Sequence, residues 1–317
     1  MLRKFLYRKI IVATSLLLVL LMLYLIPENN SVKFQETNLS YVYPNDLEVI
    51  YLLDENNYVS RTVMSIDASD EVKMVYDMID ALTIGGKHES KIQNGFRAII
   101  PSMVSVNDIK IDDGILTIDF SKDFLDIKTE YEERMLEAII YTLTGIKGID
   151  KINILIDGEK LTNLPNSNKI LPEYLDRSYG INKEYDIVSF NDIDSYVIYY
   201  VNKNNGSNYY IPITKYVNDK NSDKIKVIIN ELASSYISET NLSSYLSSNA
   251  KLLDYELDDD IIKLNFNSDI FNDITSNNIL EEVIYTISLS IMDNINVNEV
   301  IFMVDGNVIC QSSNIID

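Results

Sequence analysis

Two stretches of the chain carry the same hydrophobic rhythm. Leu136, Ile139, Ile140 and Leu143 fall at positions i, i+3, i+4 and i+7, and Leu280, Val283, Ile284 and Ile287 repeat that spacing 144 residues later. The period predicts a helix with one apolar face in each place. After each helix the pattern changes to alternation. Ile152, Ile154 and Ile156 in the first stretch, and Val300, Phe302 and Val304 in the second, share one face of a predicted strand. Asp157-Gly158 and Asp305-Gly306 close these strands with turns. Glu137, Tyr141 and Thr142 recur as Glu281, Tyr285 and Thr286, so the chain contains an internal repeat.

The repeat extends upstream. The apolar runs EVIYLLDENN, carrying Val49-Ile50-Tyr51, and YVIYYVNKNN, carrying Val197-Ile198-Tyr199, both end at Asn-rich turns. Each leads into a second strand, VSRTVMSI (59–66) or NYYIPITKYV (208–217), and so predicts a hairpin. A helix follows in both copies, with Ser69-Asp70 and Ser222-Asp223 as N-cap candidates. Val72, Val75, Tyr76 and Ile79 mark the apolar face of the first; Ile225, Ile228, Ile229 and Leu232 mark that of the second. Gly85-Gly86 ends the first helix. Next comes a second hairpin: VSVNDIKI (104–111), Asp112-Asp113-Gly114 and ILTIDF (115–120), or KLLDYEL (251–257), Asp258-Asp259-Asp260 and IIKLNF (261–266). Each copy therefore reads hairpin, helix, hairpin, helix, strand. The fold class is α+β, two tandem repeats, each a mixed β-sheet with its helices packed on one face.

Around the repeats the chain divides further. Residues 1–9 hold Arg3, Lys4, Arg8 and Lys9, and residues 10–26 form an unbroken apolar run, IIVATSLLLVLLMLYLI. Its 17 residues span roughly 26 Å as a helix, the short end of a transmembrane length. The run exceeds the apolar core of a cleaved signal peptide and lacks a small-residue cleavage site, so it reads as an uncleaved signal anchor. The basic flank puts the N-terminus in the cytoplasm and everything from about residue 28 outside. Residues 27–46 read as a polar stalk, 47–160 as the first domain, 161–194 as a connecting strap and 195–311 as the second domain. Pro165 and Pro172 interrupt the strap, while Leu171, Tyr174, Leu175, Tyr179 and Tyr185 equip it to pack on the domains.

Charge and chemistry narrow the function. The net charge is −21, and setting aside the four basic residues of the cytoplasmic flank leaves −25 outside. Such acidity disfavours nucleic acid and anionic lipid headgroups and leaves room for basic partners. Cys310 is alone, so no intrachain disulfide forms and a free thiol is expected. His88, in the loop GGKHES, is the only histidine and reads as a solvated loop residue. One His and one Cys make none of the usual zinc sites, and no serine sits in G-x-S-x-G. The aspartates Asp112, Asp113 and Asp157, matched by Asp258, Asp259 and Asp305, fall at predicted turns; the run through Asp260 does not have the spacing of an EF-hand loop. The reading assigns no catalytic, cofactor-binding or metal-ligating residue and no small-molecule substrate.

With these residues in order, EVIYLLDENN, VYDMIDALTIGG, Gly95-Phe96-Arg97, Ile100-Pro101, DDGILTIDFSKDF, EAIIYTLTGIKGIDKINILIDG and DRSYGIN, and then VIYYVNKNN, YYIPIT, LDDDIIKLNFNSDIF, EEVIYTIS and EVIFMVDG, the chain resembles the tandem GerMN domains of the GerM sporulation and spore germination family. The resemblance covers about residues 48 to 310. It implies a membrane-tethered protein of the space between mother cell and forespore membranes, acting with a secretion-like channel complex. The helix, hairpin, helix, strand order is also similar to the ring-building motifs of that channel and of type III secretion rings. Two departures stand out. The family's lipid-attached N-terminal cysteine is missing here, and the second copy has SSYISETNLSSYLSSNA in place of the GGKHE…GFRAIIP loop.

Three functions compete on this reading. The leading one is a non-enzymatic assembly or scaffold component whose duplicated domains multiply docking surfaces, with other channel-complex proteins and self-association as partners. The second is an extracytoplasmic glycan-binding module, for which the 22 tyrosines could stack on sugars. The third is a glycosidase built on paired carboxylates, against which the turn positions of the repeated aspartates argue. A ring of such acidic copies repels itself across the roughly 8 Å screening length of physiological salt. It therefore calls for a basic partner, cations or concentration at a membrane.

Overall fold

The computed structural model describes residues 14, 17, 37–38, 47–218, 222–234, 242–272 and 277–313. The chain separates into two units, Met1–Glu36 and Thr37–Asp317. In the first, Thr14 and Leu17 are helical, and the rest of the expected cytoplasmic tail and signal anchor lies outside the described residues. Among the described residues no helix is long and apolar enough to cross a membrane. Most of the expected stalk is also outside them. Its Thr37–Asn38 segment, β1, is paired and belongs to the second unit.

In the first repeat, β2 (Leu47–Asp54) and β3 (Val59–Ser65) form the first hairpin, followed by α1 (Glu71–Leu82) and the short β4 (Phe96–Arg97). The second hairpin is β5 (Val106–Asp112) and β6 (Ile115–Phe120); then come α2 (Thr129–Leu143), β7 (Lys151–Ile156) and β8 (Glu159–Lys160). The strap contributes β9 (Glu184–Asp186). The second repeat runs β10 (Asp194–Asn204), β11 (Ser207–Val217), α3 (Lys224–Ala233), β12 (Leu252–Asp258), β13 (Ile261–Phe266), α4 (Glu281–Asn294), β14 (Glu299–Val304) and β15 (Asn307–Ser313). Asp70 and Asp223 cap α1 and α3, accepting hydrogen bonds from the amides of Lys73 and Lys226. Asp113-Gly114, Asp157-Gly158 and Asp305-Gly306 place both residues at positive φ (48° and 75°, 49° and 84°, 48° and 81°), the conformation of a tight hairpin turn.

The expected mixed sheet is present in each repeat. In the first its order is β5-β6-β7-β8, with β6 and β7 parallel; in the second it is β1-β15-β14-β13-β12, with β13 and β14 parallel. The first hairpins do not join these sheets. They leave their own repeats and meet each other in a third sheet, β10-β11-β3-β2-β4, with β9 beside β11. The two repeats thus share one sheet, which the repeat pattern alone did not disclose.

This arrangement alters the role of the second helix. An amphipathic helix with one buried face was expected, yet α2 is buried from Met135 through Leu143, including Glu137 and Thr142. It lies against β2 of the shared sheet while contributing to one core with Leu116, Ile118, Ile152 and Ile154 of its own mixed sheet. The open edge of β2 needs donors and acceptors beside it, and Thr142 Oγ1 accepts the Tyr51 amide at 3.0 Å. In the second repeat Ser290 Oγ accepts the Tyr199 amide at 2.9 Å, while Asn294 exchanges two hydrogen bonds with the Val197 backbone.

Two smaller expectations are corrected. On α1, Val75 and Ile79 are buried, but Val72 and Tyr76 are exposed; the inner face is completed by Met78 and Leu82. In the strap, Leu171 and Leu175 are buried and Tyr174 and Tyr179 half-buried, whereas Tyr185 is exposed, stacked on Tyr216 at 4.8 Å between ring centres.

Candidate functional site

The residues singled out in the sequence do not converge. The aspartates of the tight turns stay at the turns, at opposite ends of separate strands. Among the described residues, no three His, Cys, Asp or Glu side chains are placed to hold a metal ion. His88 departs from the solvated loop residue expected. Its side chain is 13% exposed, and Nδ1 lies 2.9 Å from Asp80 Oδ2, so it ties the loop to the end of α1. Cys310 is buried on β15, and burial pushes its thiol pKa up to about 12.

Convergence occurs instead at the joint between the repeats. The strands β3 and β11 hold the same place in their repeats and pair antiparallel through Arg61 and Tyr210. The hairpin registers Tyr51 with Arg61 and Tyr199 with Pro212 make Tyr51 the counterpart of Tyr199, and Arg61 the counterpart of Pro212. Equivalent strands running antiparallel side by side are related by a local two-fold axis normal to the sheet. Tyr51 and Tyr199 reach across β3 and β11 from the two flanks until their hydroxyls stand 3.0 Å apart.

An ionic network continues from this contact. Tyr199 donates to Asp293 Oδ2 at 2.6 Å, and Arg177 Nη1 donates to Asp293 Oδ1 at 2.5 Å. The guanidinium also reaches Thr144 Oγ1 at 3.2 Å and covers the Tyr141 ring at 5.0 Å. Burial raises the Tyr51 and Tyr199 pKa values, so both hydroxyls stay protonated and donate. A cavity of about 300 Å³, lined by Tyr51, Arg61, Arg177, Tyr199 and Asp293, opens beside the network.

Asn182 is the second fastening. Two residues along from the Arg61–Tyr210 pair, the two-fold would bring Val59 opposite Pro212, which has no N–H to donate. The Asn182 side chain fills that gap. Its Oδ1 accepts from the Val59 amide at 2.9 Å and from Arg134 at 2.7 Å; its Nδ2 donates to the carbonyls of Val59 at 2.8 Å and Pro212 at 2.7 Å. Its own amide donates to Glu137, a buried carboxylate held between Arg134 and Lys183. Burial lowers the Lys183 pKa, and the nearby Glu137 and Glu133 charges oppose that shift.

The loop missing from the second copy is the third fastening. Phe96 packs edge-on to Tyr209 at 5.0 Å, and Asn204 donates its side-chain amide to the Asn94 carbonyl at 2.5 Å. Gly95 (φ +93°) is where this approach is closest; a Cβ there would lie 1.6 Å from Asn204 Nδ2. Tyr209 also donates to Asp54 Oδ2 at 2.9 Å. The loop therefore serves contact between the repeats. Beside it a cavity of about 440 Å³ is lined by Arg61, Gln93, Phe96, Asn208, Tyr209 and Tyr210, among others.

Arg177, Asn182 and Asp293 were missed as a group because none belongs to a periodic pattern. A usable signal was present, however. Arg177 and Asn182 lie in the DRSYGIN run outside both copies, and Asp293 has Ile149, no acid, at the position 144 residues earlier in the first copy.

A family model described as Germane, sporulation and spore germination, matches residues 49–162 and 197–310. The spore germination protein GerM of Bacillus subtilis (strain 168) is 32% identical over 264 residues, 81% of this chain and 71% of that protein. The solved structure of the tandem GerMN domains of the sporulation protein GerM from Bacillus subtilis superposes with a TM-score of 0.76, at 29% identity, over 82% of this chain and 91% of that one.

Proposed function

Since the chain belongs to the Germane family of sporulation and spore germination proteins, we propose that it is a non-enzymatic assembly protein of the sporulation envelope. It is anchored by residues 10–26 with its domains outside, and it docks onto an oligomeric ring complex between mother cell and forespore. One observation carries the non-enzymatic reading. Arg177, Asp293, Tyr51 and Tyr199 bind one another across the joint, and Asn182 binds Glu137 beside it. They fasten the two repeats into one body, so these polar groups are engaged with one another in the joint.

The symmetry of the joint constrains any ring. A two-fold contact is self-complementary and closes on itself, whereas a ring requires two different surfaces. The repeat-to-repeat contact is thus spent within the chain, and ring contacts must use other faces. The external charge of −25, taken with the anchor reading, keeps the demand for a basic neighbour.

Single cysteines introduced on exposed strands of the full chain, in a Cys310→Ser background, test the proposal in sporulating membranes. Crosslinking to a neighbouring sporulation protein or a second copy is the expected outcome. An absence of crosslinks from every exposed face, with normal protein levels, would sink it. Extraction at alkaline pH tests the anchor: the protein should stay with the membrane.

A second reading, binding of cell-wall glycan, draws on the 440 Å³ cavity with its Phe96, Tyr209 and Tyr210 rings and its Gln93 and Asn208 amides. Saturable retention on purified cell wall, lost in Asn208→Ala, would favour it.

A further inference from the structure

Among the described residues, strand β12 is the outermost strand of the second mixed sheet, hydrogen-bonded to β13 alone in that sheet. Residues 253–258 are all exposed. Tyr255 is in register with Leu264 and Leu257 with Ile262, so their side chains lie on the face that holds the fully buried Leu264 and Ile262. Yet Tyr255 is 37% exposed and Leu257 51%. The first repeat supplies the internal comparison. On β5, Ile109 and Ile111 pair with Ile118 and Leu116 in the same register and pack against the first core. The second core takes in Leu252 but neither Tyr255 nor Leu257. The apolar face of the edge strand covered in one repeat stands open in the other.

The opposite face of β12 is acidic. Asp254, Glu256 and Asp258 alternate with the apolar residues, and Asp259 and Asp260 follow in the turn; Lys263 pairs with Glu256 at 2.9 Å. The corresponding stretch of β5 carries Lys110 between Asp108 and Asp112. An exposed edge offers unpaired backbone N–H and C=O groups to any chain able to adopt a β conformation. The side chains beside it choose which chain.

We infer that β12 is a docking edge for an extended segment of a partner protein, one that alternates apolar and Lys or Arg side chains and adds to the sheet as a further strand. Its apolar residues cover Tyr255 and Leu257, and its cations face Asp254, Glu256 and Asp258. A second copy of this chain is the wrong occupant, since β12 against β12 sets carboxylates beside carboxylates. The inference deepens the docking reading and rests on it: it names the surface and the chemistry of the partner.

The test uses the full chain in mild detergent. The probe is a seven-residue peptide alternating lysine and valine. Its control is the same peptide with alternate amides N-methylated, which keeps charge and composition but cannot pair along a strand. Hydrogen exchange is followed at those amides of residues 252–258 that point away from β13. The pairing peptide should slow exchange there at least tenfold and bind at least tenfold more tightly than the control. Asp254→Lys/Glu256→Lys, both on the solvent face, should lose the lysine peptide and gain a glutamate–valine one.

Equal binding of the control, or protection arising elsewhere, overturns the inference. So does protection, in the free chain, of the β12 amides that point away from β13, or protection that grows with protein concentration alone, since the edge would then be covered from within or by a second copy. If β12 fails these tests while the membrane crosslinks persist, the docking reading stands and this surface is the wrong one. If the crosslinks also fail, the docking reading falls with it.

Discussion

Replacing Asn182 with alanine should separate what the joint contributes from what each repeat contributes. The side chain makes four hydrogen bonds, to the amide and carbonyl of Val59, the carbonyl of Pro212 and the Arg134 guanidinium. Alanine leaves three backbone groups in the joint without partners. Each buried orphan costs about 1–3 kcal/mol, and water entering the vacated space recovers part of that. The residue also sits at φ +47°, where a Cβ-bearing residue without a local side-chain bond costs about 1 kcal/mol more. The expected loss is about 3–5 kcal/mol in total. Asn182→Gly removes the same hydrogen bonds without the backbone strain and should be about 1 kcal/mol less destabilised than alanine. Urea titration of the full chain in mild detergent, followed by circular dichroism, reads both values. Because the shared sheet couples the repeats, the parent should unfold in one transition and the alanine variant in two, as each mixed sheet melts with its own core. A loss below about 1 kcal/mol, or a single unbroken transition in both variants, would refute the assignment of Asn182 as a fastening.

Three other outcomes follow from the same geometry. Asp293→Asn should cost about 1–3 kcal/mol, below the figure for a fully buried broken pair because the Arg177 side chain remains 35% exposed; a Tyr199→Phe cross in a double-mutant cycle should show coupling. Burial by itself raises the Glu132 pKa, but hydrogen bonds from Ser167 and Asn166 outweigh it and hold the carboxyl below its usual value. The unfolded chain therefore binds the proton first: the stabilisation is present above the ordinary glutamate range and lost as pH falls through the depressed value. Glu132→Gln should accordingly flatten the acid limb of a urea-midpoint series run between about pH 3 and pH 6. Cys310, with its thiol pKa raised to about 12, should react with a disulfide reagent at pH 8 roughly a thousandfold more slowly than a free thiol, recovering full speed in urea.

Local periodicity was legible wherever one face of an element meets one core. The alternation through Ile152, Ile154 and Ile156 and the N-caps at Asp70 and Asp223 were of that kind. It was ambiguous on α1. There Val72 and Tyr76 satisfy i, i+4 spacing as well as Val75 and Ile79 do, and the position of the sheet decides between them. It was silent about the joint. Arg177 and Asp293 meet across 116 residues, and Asn182 and Val59 across 123, with no period to link them. The repeat itself concealed the shared sheet, because two copies of a hairpin look alike whether they pair within a repeat or with each other. The sequence also invites a reading of Thr142 and Thr286 as one conserved role. In the structure Thr142 caps the β2 edge, whereas Thr286 bonds the Ser244 and Val283 carbonyls, and the edge of β10 is capped one turn later by Ser290.

Duplication also builds a joint that is partly symmetric and partly not. Two identical repeats related by a two-fold would present the same outer edges in opposite directions, and a partner could bind either one. The chain breaks that equivalence in two places. The Gln93–Phe96 segment exists in the first repeat only and grips the β10–β11 hairpin. The edge strand packed against the core at β5 is left exposed and acidic at β12. The symmetric part of the joint supplies rigidity, since each repeat satisfies polar groups the other would leave open. The asymmetric part supplies direction, since it distinguishes one end of the pair from the other. A rigid body with two equivalent ends has no defined orientation, and the asymmetric part removes that equivalence. The second copy is the half whose edge strand leaves its apolar face exposed, and the first is the half that grips the β10–β11 hairpin.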